Sequence, residues 1–176
     1  MKKVMLLTIF AALMLISSAA VAQTATGTLT VTATVNGSIQ LVFNSDAAGV
    51  ALSSGAGTNT ATLAFGNVSA FGAISAGIVR STTATTFTVS SAVDVLVSKT
   101  NSASANYTLK AQLGAADAVN TWQVGGTTVT NAAQSTVTAT GAYAANSNFP
   151  VAITVPFTTA SGTLISNTIN YTATAN

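Results

Sequence analysis

Residues 24–35 read Thr24-Ala25-Thr26-Gly27-Thr28-Leu29-Thr30-Val31-Thr32-Ala33-Thr34-Val35. Threonine holds every even position, and the odd positions carry Ala, Gly, Leu, Val, Ala and Val. Successive side chains of a β-strand point to opposite faces, so this spacing specifies one hydroxyl face and one apolar face. Threonine and valine are β-branched and favour extended backbone. The segment is expected to be a strand whose apolar face, Ala25, Gly27, Leu29, Val31, Ala33 and Val35, needs a surface to cover it.

Upstream, Lys2 and Lys3 precede an apolar run from Val4 to Ile16, and Ala20-Val21-Ala22 is a small-x-small site before Gln23. That order is the signature of a signal peptide over residues 1–22, which marks the chain for export. No later segment reaches the roughly 18 consecutive apolar residues that cross a bilayer. The expected organisation is a signal peptide at 1–22, an N-terminal donor strand at 23–36 and a β-sandwich domain at 37–176.

The formal charge of +2 comes from Lys2 and Lys3. Beyond the leader, Arg80, Lys99 and Lys110 balance Asp46, Asp94 and Asp117. No basic patch exists to release counterions, so neither a nucleic-acid nor an anionic-membrane partner is expected. Charged residues make up 5% of the chain, against roughly 25% in an ordinary domain. A chain near zero net charge tends to associate. There is no cysteine, so stability must come from the core and from partners, although an exported chain could use disulfides.

Downstream the pattern stays period two, rich in Val, Ile, Thr and Phe and broken by Gly, Asn and Ser. Strands are expected at Ile39–Phe43, Thr60–Gly66, Thr85–Val89, Val93–Val97 and Tyr107–Leu113. Thr121–Val124 and Thr127–Thr130 flank Gly125-Gly126, a two-residue hairpin signal. Val151–Phe157 and Leu164–Thr174 are expected to close the chain as a hairpin. Pro156 places its strand at an edge or a bend. Short strands at this spacing, with no helical segment, point to an all-β immunoglobulin-like antiparallel sandwich.

Catalytic chemistry is sparse. The chain has no His, Cys or Glu, which removes the commonest general bases, thiol nucleophiles and transition-metal ligands. Its three aspartates lie far apart in sequence, and no serine sits in a G-x-S-x-G context. No enzyme activity, cofactor or metal is expected. Asn44-Ser45-Asp46 reads as an Asx turn in preference to a calcium loop. Trp122, Tyr107, Tyr143 and Tyr171 read as core rather than a sugar platform. The Asn-x-Ser/Thr triplets at Asn36, Asn67, Asn106 and Asn170 are expected by chance in so Thr-rich a chain.

Two functions fit the opening segment. In one it leaves its own domain and completes a neighbour's sheet, with ladder hydrogen bonds giving adhesion and alternate side chains giving register. Burying Leu29, Val31 and Val35 is then worth about 1.5–3 kcal/mol each at most. In the other, a monomeric secreted sandwich folds the strand into its own sheet and binds ice or carbohydrate. The ice-binding form needs Thr-x-Thr rows on neighbouring strands, and only this segment shows one at length.

A signal peptide, a Gly-containing alternating strand, a short break, Leu63-Ala64-Phe65-Gly66 and a terminal strand with Asn170-Tyr171-Thr172-Ala173 together resemble the pilins of archaic chaperone-usher systems and spore-coat-U-like domains. The resemblance implies an incomplete sandwich completed by a donated N-terminal strand from a neighbouring subunit, and a homopolymer of identical subunits. It also implies assembly by a periplasmic chaperone and an outer-membrane usher. Those relatives commonly carry a disulfide near the break, whereas Gly37-Ser38-Ile39 has none. The expected product is a secreted, pilus-like filament on the cell surface.

Overall fold

A computed structural model describes residues 26–176. The expected signal peptide, together with Thr24 and Ala25, lies outside the described residues. The chain divides into two units, Met1–Thr34 and Val35–Asn176. From Thr26 to Gly37 it forms no regular element, and the first strand is β1 at Ser38–Ser45.

The remaining strands are β2 (Val79–Thr82), β3 (Thr86–Ser91), β4 (Val93–Thr100), β5 (Tyr107–Leu113), β6 (Thr121–Val124) and β7 (Thr127–Val129). They continue with β8 (Ser135–Gly141), β9 (Asn146–Asn148), β10 (Val151–Pro156) and β11 (Ile169–Ala175). All pairs are antiparallel. The described residues contain no helix.

Three sheets are hydrogen-bonded: β1-β4-β9, β2-β3-β10-β6-β7 and β11-β5-β8. The first two are halves of one long bent layer. Asp94 faces Asn148 on β4 and β9, and Ser91 faces Val151 on β3 and β10, so the pairing crosses Ala92 and Pro150 without a register shift. The layer therefore runs β1/β2, β4/β3, β9/β10, β6, β7. Against it packs the shorter sheet β11-β5-β8.

Alternation builds the core between these layers. Phe87 and Val89 on β3, Val93, Val95 and Val97 on β4, and Val151, Ile153 and Val155 on β10 point inward and are buried. From the short sheet, Tyr107, Leu109, Ala111 and Leu113 meet them. Most of the outward positions between them are polar; Thr88 and Thr154 share a hydroxyl hydrogen bond of 2.7 Å across β3 and β10. Gly125 and Gly126, with φ of 56° and 80°, make the tight β6–β7 turn that only residues tolerant of positive φ adopt readily.

Strand order matches the immunoglobulin plan, in which strands A, B, E and D form one sheet and C, F and G the other. Here β1/β2, β3/β4, β9/β10 and β6 take the A, B, E and D positions. On the opposite layer β5 takes C and the last strand, β11, takes F.

Three expectations are corrected. The last two strands do not form a hairpin, because β10 lies between β3 and β6 while β11 pairs with β5 in the other layer. Residues 157–168 cross between layers, so Leu164 to Thr168 carries no strand. Pro156 does not mark an edge strand; it ends a central one, beyond the last β6 pair at Thr154, where no ladder N–H is required. Thr60–Gly66 is not a strand either. Both sides of the β3/β4 strand are taken by β1, β2, β9 and β10, and the segment makes only a bridge from Thr62 to Ser54.

Tyr107 shows how tightly the core closes. A Cβ placed on Gly141 would lie 2.2 Å from Tyr107 Cζ, and Tyr107 is fully buried, so the ring has nowhere to move. Gly141→Ala is expected to lower the unfolding free energy by about 1–3 kcal/mol, read as a lower urea midpoint at unchanged slope.

Candidate assembly site

The N-terminal segment, taken by itself, exposes its apolar positions. Leu29 is 88% exposed, Val31 81% and Val35 74%. Gly27 and Ala33 are exposed too. Among the described residues, nothing lies within 4 Å of a Cβ added at Gly27. A strand is defined by its hydrogen-bonding partner, and among the described residues this segment has no ladder. That is why it has the sequence of a strand but carries no strand assignment.

Just beyond, Gly37 lies against the start of the loop after β4. A Cβ there would come 2.6 Å from the Asn101 carbonyl oxygen. Only glycine lets the backbone enter β1 so close to residues 100–101.

Two of the edge strands among the described residues carry half-buried inward faces over one cluster. β1 ends one sheet and β11 ends the other. Their inward residues, Leu41 and Phe43 on β1 and Tyr171 and Ala173 on β11, are only half-buried. Their neighbours one strand further in, Val95, Val97, Leu109 and Ala111, are fully buried. All four half-buried side chains rest on the cluster Val95, Val97, Tyr107 and Leu109. Phe43 and Tyr171 meet edge to face with ring centroids 5.1 Å apart. Burial pushes the Tyr171 hydroxyl well above its ordinary value. In the immunoglobulin plan the edge of β11 away from β5 is the side on which strand G pairs. No described strand occupies it.

The edge of β1 is open over part of its length. At Phe43 it is bridged by the loop that follows: the Phe43 N–H donates to Thr58 O at 2.9 Å, and the Gly57 N–H donates to Phe43 O at 2.7 Å. The half-buried residues Leu41, Phe43, Tyr171 and Ala173 are absent from the sequence-based site, which names only residues of the N-terminal segment. Their alternation is visible in the sequence, but their convergence depends on the pairings β1–β4 and β11–β5.

Elsewhere the polar side chains serve structure. Asp46 Oδ1 accepts from the Ala48 N–H at 2.7 Å, the Asx turn expected from Asn44-Ser45-Asp46. Asp46 and Asp94, distant in sequence, are brought together beside Asn146 and Asn148. Burial first, then the Asp46 charge, raises the Asp94 carboxyl above its ordinary value.

Asp117 is the opposite case. Burial alone would raise it, but donors from Asn120, Trp122 and Val119 outweigh burial and hold it at about 2. Its Oδ2 takes the Trp122 indole N–H at 2.8 Å and the Asn120 amide at 3.0 Å. Two shallow cavities of about 220 and 270 Å³ flank this loop, lined by an aspartate whose acceptors are already engaged. Of the four aromatics expected in the core, Trp122 and Tyr107 are buried, whereas Tyr143 and Tyr171 are half-buried and pack against it.

A pH dependence follows. A depressed carboxyl contributes stability above its unfolded value of about 3.8, and that contribution is lost as pH falls toward about 2. Thermal midpoints should fall over that window, and Asp117→Asn should lower the midpoint at pH 7 while flattening the fall. Asp94 has the reverse sign: its ionised form is disfavoured by folding, so Asp94→Asn should raise the midpoint at pH 7. Scanning calorimetry from pH 2 to 7 reads both.

Comparison with protein-family models, with curated proteins and with solved structures finds no match. The fold and the site thus rest on the chain's own geometry.

Proposed function

We propose that this chain is the structural subunit of an extracellular, pilus-like filament, joined head to tail by strand donation. Residues 24–35 of one copy lie between β1 and β11 of the next. The observation that carries the reading is a complementary pair of features in one chain: an unladdered segment with Leu29, Val31 and Val35 exposed, and a sandwich whose β1 and β11 edges leave Leu41, Phe43, Tyr171 and Ala173 half-covered.

A donated strand supplies what each side needs. Its backbone extends the β11 ladder, and its odd side chains complete the cover over Val95, Val97, Tyr107 and Leu109. Buried apolar area contributes several kcal/mol before any ladder bond is counted. Because donor and acceptor are different surfaces of one molecule, the contact does not close and grows a fibre. Export by the leader, with a periplasmic chaperone and outer-membrane usher guarding the open edge, belongs to the same reading. Negative-stain microscopy and sedimentation of the purified protein test it. Filaments support the reading, and a compact monomer at every concentration contradicts it in favour of a monomeric binding module.

A further inference from the structure

The unfilled side of the sandwich is not an open trench. Phe43 and Tyr171, the central inward residues of β1 and β11, reach across it and meet edge to face at 5.1 Å. The two strands are not hydrogen-bonded to each other, so the rings form a side-chain bridge where a ladder is missing. Phe43 is held a second time, through its backbone, by Gly57 and Thr58. Both rings lie over the buried cluster of Val95, Val97, Tyr107 and Leu109, the surface that an entering strand must reach.

We propose that Phe43 and Tyr171 form a latch that closes the acceptor side of the free subunit and must part before a second copy's strand can enter. The inference rests on the strand-donation reading above and assigns it a rate-controlling step. Closed, the rings shield the apolar cluster from water and from random association. Opening loses the edge-to-face contact and releases the β1 edge from residues 57–58. The latch therefore lengthens the life of the unassembled subunit and selects partners able to refill what the rings vacate. An aromatic pair of this geometry contributes enough beyond its buried area to slow entry by about 2- to 12-fold.

The test uses the full chain carrying Val31→Asp, so that it does not assemble with itself, and a fluorescent peptide of residues 24–35 with the natural Val31. Association is followed by anisotropy in a stopped-flow instrument. Phe43→Leu and Tyr171→Leu, on different strands, should each raise the association rate about 2- to 12-fold, and the double variant should raise it no further, because one contact is lost once. Val42→Ala, on the outer face of β1 between Leu41 and Phe43, should leave the rate within about 2-fold. Equal rates for the parent and both leucine variants overturn the latch while strand donation stands. So do rates that multiply in the double variant, which report general loosening. If the peptide binds none of these chains, strand donation itself fails and the latch with it.

Discussion

Val31→Asp should abolish filaments while leaving the sandwich folded. Val31 is 81% exposed in the free chain, and exposed substitutions away from special features usually change stability by less than about 0.5 kcal/mol. Once donated, the same side chain would lie against Val95, Val97 and Leu109, where an aspartate has no partner. Burying an unpaired carboxylate costs several kcal/mol, enough to cancel the apolar gain from the rest of the strand. The expected images show monomers and no fibres, with a thermal midpoint matching the parent's monomer. Thr30→Asp, one residue away on the hydroxyl face, should assemble far better. Fibres of normal length from Val31→Asp would mean that the odd face of the segment is not the joint.

The largest loss of stability should follow Trp122→Ala. Trp122 is buried on β6, opposite Ile153 of β10 and Val129 of β7, so it is flanked by core residues of both neighbouring strands. Removing a buried Trp typically costs about 3–5 kcal/mol. Here the change also withdraws the indole donor from Asp117 Oδ2 and loosens the loop between β5 and β6. Against a typical total of about 5–15 kcal/mol, such a loss leaves the domain marginal at 37 °C. Trp122→Phe should cost clearly less, since it keeps most of the apolar volume and loses only the hydrogen bond. Urea denaturation followed by circular dichroism separates the two.

Local pattern accounts for much of this fold. Tyr107–Leu113 alternates without interruption and is observed as β5 over the same residues. Gly125-Gly126 announces the β6–β7 turn, and Ile39–Phe43 lies within β1. What local pattern lacks is the partner of each strand. Val151–Phe157 and the final strand look like a hairpin because a Ser-Gly turn separates them, yet the buried faces of β5 and β10 pull them into opposite layers. β8 escapes a reading by alternation because Ser135–Gly141 carries a single large apolar residue, Val137, and a register irregularity against β5. β9 escapes because Asn146-Ser147-Asn148 has no apolar residue at all and is a strand only through its pairing with β4.

The same limit divides the candidate site. Its donor half is contiguous, and twelve residues of sequence suffice to see the apolar face at Gly27, Leu29, Val31, Ala33 and Val35. Its acceptor half joins Leu41 and Phe43 to Tyr171 and Ala173 across most of the chain, and only the sheet order brings those residues to one place. The pairing of Asp46 with Asp94 is equally non-local, since it needs β1 and β9 on either side of β4.

The most direct measurement is the thermal midpoint of the full-length Val31→Asp chain titrated with a peptide of residues 24–35. If the peptide fills the side between β1 and β11, binding to the folded state alone adds about 2.7 kcal/mol at a hundredfold excess over Kd. For a domain of this size that raises the midpoint by about 5–10 °C, saturably. A peptide carrying Val31→Asp should do nothing. A midpoint unmoved by the natural peptide at any concentration would contradict strand donation.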